Sequence, residues 1–349
     1  MNQSSTEHSF NILQQQLASR SILRIVIETF LHFALVVVGT LGNSLVLWVV
    51  FKNKNSTKLA YIFIGALAAS DFLVLVLTGW IFLTVLVLGK WQFSHFICQF
   101  QGFCVSGFVC LSLFLMAITA INRYFKVVRN KHYRAVFTPK RTKNIIIGTA
   151  MLSFIGPTQY LASGRRYVFQ PGKYFCHQET RLTPSTSWVL YGVLVPTIII
   201  NVCYIMIFHT IRLHQNRVKA MRQNNPITGP NIEDIKATRT LFFTVVGFLC
   251  CWTPIFVIDI VDFARNSSIP HREVYVVYTL LGTFSSCINP FIYGAMNTMF
   301  SQEYKKIFRF RYLCGTKVER IIQTNSRVTV GQGANTTFSS DFHYQNNRQ

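Results

Sequence analysis

The 349-residue chain is 50% hydrophobic and only 13% charged, and its 34 Lys+Arg against 12 Asp+Glu give a net charge of +22. An ordinary soluble domain carries roughly 25% charged residues, so a pair of soluble domains is excluded. So much apolar sequence also argues against a nucleic-acid surface as the meaning of the positive charge, and nucleic acid is not an expected partner. The composition fits a chain held mostly inside a membrane, with its charges crowded into short connections.

Residues 1–21 are polar and carry no cleavable signal core; they are expected to be an extracellular N-terminus. Seven apolar runs then reach the about 20 residues that a helix needs to cross the hydrocarbon core. They cover residues 22–51, 59–88, 96–128, 144–161, 187–211, 238–263 and 274–296. The fourth is the shortest and is interrupted by Gly156-Pro157. Residues 297–313 place Phe300, Tyr304, Ile307 and Phe308 on one helical stripe, which suits a cytoplasmic amphipathic helix lying on membrane lipid. Cys314 directly after it is the expected palmitoylation site. The polar tail of residues 314–349 reads as disordered. The expected fold is therefore an all-α membrane protein, a seven-transmembrane bundle over residues 22–296 with a short eighth helix.

Lys and Arg set the orientation, because they are retained in cytoplasmic loops. Lys52, Lys54 and Lys58 follow the first span, Lys126 to Lys143 holds a dense cluster after the third, and Arg212, Arg217, Lys219 and Arg222 follow the fifth. The alternate loops are poorer. The N-terminus is therefore expected outside, at the plasma membrane, with Asn2 and Asn266 as glycosylation acceptors. The Asn55 and Asn335 sequons would face the cytoplasm. The spans show no repeat of matching halves and no paired charges along a pore, so a transporter or channel is the weaker alternative. No nucleophile–base pair or metal-ligand cluster suggests an enzyme.

Polar residues within spans are costly, which makes them candidate functional positions. Span one carries Gly42-Asn43-Ser44 and span two Leu67-Ala68-Ala69-Ser70-Asp71. Span three ends in Asn122-Arg123-Tyr124, and span five holds Pro196 and Tyr204. Span six contains Cys251-Trp252-Thr253-Pro254, and span seven ends in Asn289-Pro290-Phe291-Ile292-Tyr293. In this order and in these spans, the set resembles the class A (rhodopsin-like) G protein-coupled receptors over about residues 40–314. The resemblance implies an extracellular ligand, a heterotrimeric G protein, and receptor kinases and arrestin acting on the tail. It also implies no cofactor beyond an allosteric sodium ion.

Asp71 needs partners in mid-membrane, and Asn43, Ser112, Ser285, Ser286 and Asn289 are the polar residues available from other spans. In the family such residues hold sodium; a hydrogen-bonded cluster around a protonated Asp71 is the plainer alternative. Arg123 resembles the residue that engages the G protein once span six swings outward. Asn122 stands where the family has an acid, so Asp234 or Glu233 could pair with Arg123 instead, and an Arg123–Asp234 contact is expected. Pro254 removes a backbone donor and bends its helix, and Trp252 beside it is the expected switch. Phe248, with Pro196 and Leu113, resembles the transmission core. Cys98 and Cys176 are expected to form a disulfide, and the six other cysteines within spans to be packing thiols.

The resemblance places a ligand pocket among Gln101, Val105, Ser106, Gln178, Glu179, Trp188, Ile255, Phe256, Asp259, Tyr275, Tyr278 and Thr283. Val105 stands where monoamine receptors need a carboxylate, and Thr283 where opsins need a lysine. Two ligand classes remain. Asp259 and Asp262, one turn apart, suit a basic residue of a peptide, which is the first expectation; pairing with Arg265 or Arg272, or exposure to water, are the plainer alternatives. The Asn-Arg-Tyr triplet and the Tyr-Phe-Cys176 approach instead resemble the melatonin-receptor-like branch and a small neutral ligand. Pro290, Gln178 and Gly148 depart from that branch.

Overall fold

The computed structural model describes the backbone of residues 2–53, 59–178, 184–220, 232–265 and 268–307, and the side chains of 7–53, 59–178, 192–213, 238–265 and 268–307. Seven long helices carry the seven apolar runs: α2 (Ile22–Lys52), α3 (Ala60–Leu88), α4 (His95–Val127), α6 (Pro139–Ala162), α7 (Pro184–Ala220), α8 (Ile232–Arg265) and α9 (Arg272–Met296). Each is long and apolar enough to cross a membrane. Their ends follow local chemistry. Ser21 and Ser94 accept hydrogen bonds from backbone N–H groups at the starts of α2 and α4. Gly89 ends α3 in a left-handed conformation at φ 69°.

The fourth membrane helix is longer than its apolar run. Thr138 caps it and Pro139 occupies its first turn, so α6 starts before the polar stretch Lys140 to Lys143. Pro157 lies within the helix and does not end it. Hydropathy misses that first turn because capping, not burial, fixes it.

α4 is the central helix and packs against α3, α6, α7 and α8, while α2 packs against α3 and α9. At the α2–α9 contact, a Cβ added to Gly42 would stand 3.0 Å from the Pro290 ring. Large apolar side chains such as Leu23, Phe30, Ile198, Ile205, Ile260 and Phe291 are exposed. That pattern is expected when lipid, not water, covers the outer faces. Cys250 is also exposed, whereas Cys104, Cys110, Cys203, Cys251 and Cys287 are buried. The expectation of six packing thiols therefore fails at Cys250, which α8 turns away from the bundle.

Smaller elements decorate the bundle. α5 (Asn130–Val136) follows α4. Strands β1 (Val168–Gln170) and β2 (Phe175–His177) form an antiparallel hairpin with Phe169 opposite Cys176. The Cys98–Cys176 disulfide ties β2 to the first turn of α4. α1 (Asn2–Ala18) occupies most of the polar N-terminus, which the sequence reading left without structure. Leu17 is buried among Phe82, Leu86, Tyr174 and Phe175. Gln16 exchanges hydrogen bonds with the Pro270 carbonyl and the Arg272 N–H, both at 3.0 Å.

Asn297 follows the last residue of α9, and helical backbone runs again over 298–307. Residues 301–307 are the described part of a second unit. In it Lys306 pairs with Glu303 at 2.8 Å.

Candidate ligand cavity and polar core

A cavity of about 160 Å³ opens among α2, α3, α4, α8, α9 and the β-hairpin. Val105, Ser106, Gln178, Ile255, Phe256 and Asp259 line it, as do Tyr278 and Thr283. Its walls are mostly apolar, and its charged groups are few. The Asp259 carboxylate accepts hydrogen bonds from Lys173 Nζ at 2.8 Å and from Tyr278 Oη at 3.1 Å. Lys173 is buried with its Nζ 4.3 Å from the centre of the Tyr278 ring. The hairpin turn thus brings its own cation to the carboxylate on α8. Asp262 is engaged as well, by Tyr275 Oη at 2.6 Å and by the Ile269 N–H at 3.1 Å. The two acids expected to receive a basic peptide residue are therefore both taken by the protein itself.

Two expected lining residues sit elsewhere. Gln101 is fully buried and accepts a hydrogen bond from the Cys176 N–H at 3.0 Å, so it seats the hairpin and does not line the cavity. Tyr275 turns toward Asp262 and Ile269. Glu179 lies outside the described residues, and Trp188 outside the described side chains. The sequence reading missed His177, which lies just past the disulfide and lines the cavity. Burial first, and then the nearby Lys173 cation, push its imidazole down to about 4. It also missed His32, Thr78, Phe82 and Phe175, all on the cavity wall. Their signal was a histidine inside an apolar run and aromatics beside a cysteine, which apolar periodicity does not separate from ordinary packing.

The deep end of the cavity reaches Asp71, Ser112, Ser285, Ser286 and Asn289. Asp71 is buried and accepts from Asn289 Nδ2 at 2.7 Å and from Ser112 Oγ at 3.3 Å. Ser70 Oγ lies 3.2 Å from Ser112 Oγ. Asn43 does not bond Asp71. Its Nδ2 donates to the Gly39 and Ser286 carbonyls, each at 2.9 Å, and so ties α2 to α9. Ser285 Oγ donates to the Gly282 carbonyl at 2.7 Å. Asn289 Oδ1 is buried with no hydrogen-bond partner among the described residues. A carboxylate, hydroxyls and an unmatched amide oxygen form an all-oxygen donor set, which fits a hard cation.

At the opposite end of the bundle, Arg123 and Asn122 are buried at the foot of α4. Asn122 Nδ2 donates to Tyr133 Oη on α5 at 3.4 Å. Tyr124 Oη accepts from Arg129 at 3.4 Å. Tyr204 packs against Phe242 with ring centres 5.4 Å apart. Trp252 stacks on Phe248 at 5.4 Å and meets Phe256 at 5.8 Å, so one aromatic ladder joins the cavity to the interior. Leu113, Phe248 and Tyr204 belong to one buried cluster. Pro290 and Tyr293 are buried, whereas Pro254 is exposed on α8. Asp234 and Glu233 lie outside the described side chains, and Asn2 does too; Asn266 and Cys314 lie outside the described residues.

A family model described as "7 transmembrane receptor (rhodopsin family)" matches residues 42–293. The chain belongs to this family. Among its relatives is the melatonin receptor type 1A of Mus musculus, 29% identical over 80% of this chain and 79% of that protein. The type 1A receptor of Ovis aries is 28% identical over 83% and 79%. The type 1C receptor of Gallus gallus is 29% identical over 78% and 79%. Squid rhodopsin shares the fold with a TM-score of 0.69 at 20% identity, covering 85% of this chain and 84% of its own.

The receptor therefore gathers residues from helices and the hairpin around one cavity. α4 supplies Val105 and Ser106, α8 supplies Phe256 and Asp259, α9 supplies Tyr278 and Thr283, the hairpin supplies His177, and α2 supplies His32. The cavity and the Asp71 cluster are continuous, which links any occupant of the upper space to the polar core below.

Proposed function

We propose that this receptor binds a small neutral aromatic ligand of the melatonin kind and, on binding it, activates a heterotrimeric G protein. The observation that carries the reading is the Lys173–Asp259 pair at 2.8 Å, which matches the one acid facing the upper cavity among the described residues with a cation from the receptor's own chain. A cationic amine or a basic peptide residue would have to displace Lys173, whereas a neutral ligand need not. Similarity to receptors named for melatonin points the same way. The peptide reading loses the two carboxylates on which it rested.

Activation follows from differential binding: a ligand shifts the equilibrium only by its preference for one state. The ligand acts on Phe256 and Trp252, the ladder reaches Phe248 and Tyr204, and α8 moves outward to open a G protein site at Arg123. The N-terminus faces outward at the plasma membrane, and the basic loops face anionic lipid and the G protein. Kinases and arrestin act on the tail. Asp71, Ser112, Ser285, Ser286 and Asn289 would hold sodium, whose charge would stabilise the ionised Asp71. Asp71→Asn is expected to abolish any sodium dependence of agonist affinity; a dependence equal to wild type would remove the ion from the mechanism.

The deciding experiment titrates melatonin on cells expressing the full-length receptor with a G protein activation reporter. A saturable response absent from untransfected cells supports the reading. A response to basic peptides with none to melatonin overturns it, and ion flux without G protein would favour a channel.

A further inference from the structure

His32 lies in α2 between apolar neighbours, with Leu31 and Phe33 on either side. Its side chain is fully buried. It lies against the same cavity that touches Asp259, Phe256 and Asp71. Phe82 packs on the imidazole at 5.1 Å, and Tyr174 meets it edge-on at 5.8 Å. Neither ring nitrogen has a hydrogen-bond partner among the described residues.

A neutral imidazole always presents one N–H donor and one acceptor nitrogen. Buried polar atoms are nearly always matched, because an unmatched one loses its hydration without any compensating bond. Among the described residues, no ion pair accounts for His32. Glu28, one turn earlier on α2, is taken by Arg20 at 2.8 Å and by both terminal nitrogens of Arg272 at 2.8 and 2.6 Å. Packing does not account for it either, since phenylalanine or leucine would fill the same space without polar atoms. The surrounding wall, formed by Val36, Leu75, Thr78, Gly79 and Phe82, is largely apolar and belongs to α2 and α3. It suits the carbon body of a ligand whose polar atom reaches the ring.

We infer that His32 is a ligand-contacting, specificity-determining residue whose imidazole hydrogen-bonds an amide, ether or hydroxyl group of a neutral small molecule in the cavity. This anchor is separate from the Lys173–Asp259 pair. It makes the α2–α3 wall part of the binding site. The inference rests on the neutral-ligand reading for the charge of the occupant, and its test is read independently of signalling.

The test uses purified full-length receptor in lipid nanodiscs with four probes. Melatonin carries an amide and an ether, N-acetyltryptamine only the amide, 5-methoxyindole only the ether, and indole neither. Binding and thermal unfolding are measured for wild type, His32→Phe and His32→Gln. The expected result is a tenfold or greater loss of affinity in His32→Phe for probes carrying the group that meets His32. His32→Gln restores affinity to within threefold, and indole is insensitive to either change. Should His32→Phe not fold, His32→Leu carries the same comparison. Equal affinities of wild type and the apolar variant for all four probes overturn the inference, as does a wild type that binds none of them. Melatonin signalling with no His32 dependence would leave the proposed function standing and remove this anchor. Discrimination among the fragments without signalling would do the reverse.

Discussion

Lys173 and Asp259 form a half-buried pair, with side-chain exposures of 4% and 36%. Lys173→Met leaves the carboxylate facing the cavity without its cation. The ratio of affinities for a protonated amine such as tryptamine over neutral melatonin is then expected to rise about tenfold, or ~1.4 kcal/mol. Competition binding at low salt measures it, and an unchanged ratio would mean that Lys173 does not set the charge of the site. His177 gives a second prediction. Its imidazole is pushed down to about 4 in the folded receptor, against an ordinary value near 6.5. Below about pH 6.5 the unfolded chain therefore binds the proton first, so stability falls as pH drops toward 4. His177 is only half-buried, and water trims the size of the effect. Thermal unfolding between pH 7.5 and 5 is expected to show a smaller loss for His177→Gln than for wild type. The Lys173–Asp259 pairing was not legible in the sequence. Lys173 and Asp259 are far apart along the chain, and only the hairpin brings them together.

At the scale of elements, the long apolar helices were legible because lipid demands about 20 apolar residues per span whatever their partners. The short elements were not. α1 is polar, and tertiary contacts hold it, through Leu17 in the cluster with Phe82 and through the hydrogen bonds of Gln16. Arg20 and Arg272 converge on Glu28, so the link after α1 and the start of α9 are tied to α2 by one carboxylate. Close helix contacts also depend on small residues that carry no hydropathy signal. A Cβ on Gly39 would stand 2.6 Å from Cys287 Sγ and 2.6 Å from Leu75 Cδ1, where α2 meets α9 and α3. Gly39→Val is expected to destabilise the bundle by about 1–3 kcal/mol, as overpacking does elsewhere. The check is a lower midpoint of thermal unfolding, with the Leu75→Ala partner change recovering part of the loss.

Across the whole molecule, the excess of +22 lies on a chain in which, among the described residues, the buried acids are Asp71, Asp262 and Glu303. If the foot of α4 is the G protein site, removing an acid that restrains Arg123 raises basal activity. Asp234 precedes Trp252 by 18 residues, about 27 Å of helix, and Asp234→Ala is the variant to measure. Higher ligand-independent signalling at equal surface expression is expected; unchanged basal signalling would place the restraint on Arg123 elsewhere. The sequence by itself determined the membrane class, the seven spans and the family motifs. These follow from apolar length and from residue types at fixed positions along helices, which are local properties of the chain. Only the tertiary structure decided which acids are free. In sequence Asp259 and Asp262 suit a basic ligand residue, a nearby arginine or water equally, but the hairpin supplies Lys173 to one and α9 supplies Tyr275 to the other. The charge a cavity presents depends on which side chains converge there, and that convergence is set by packing between segments distant in the chain.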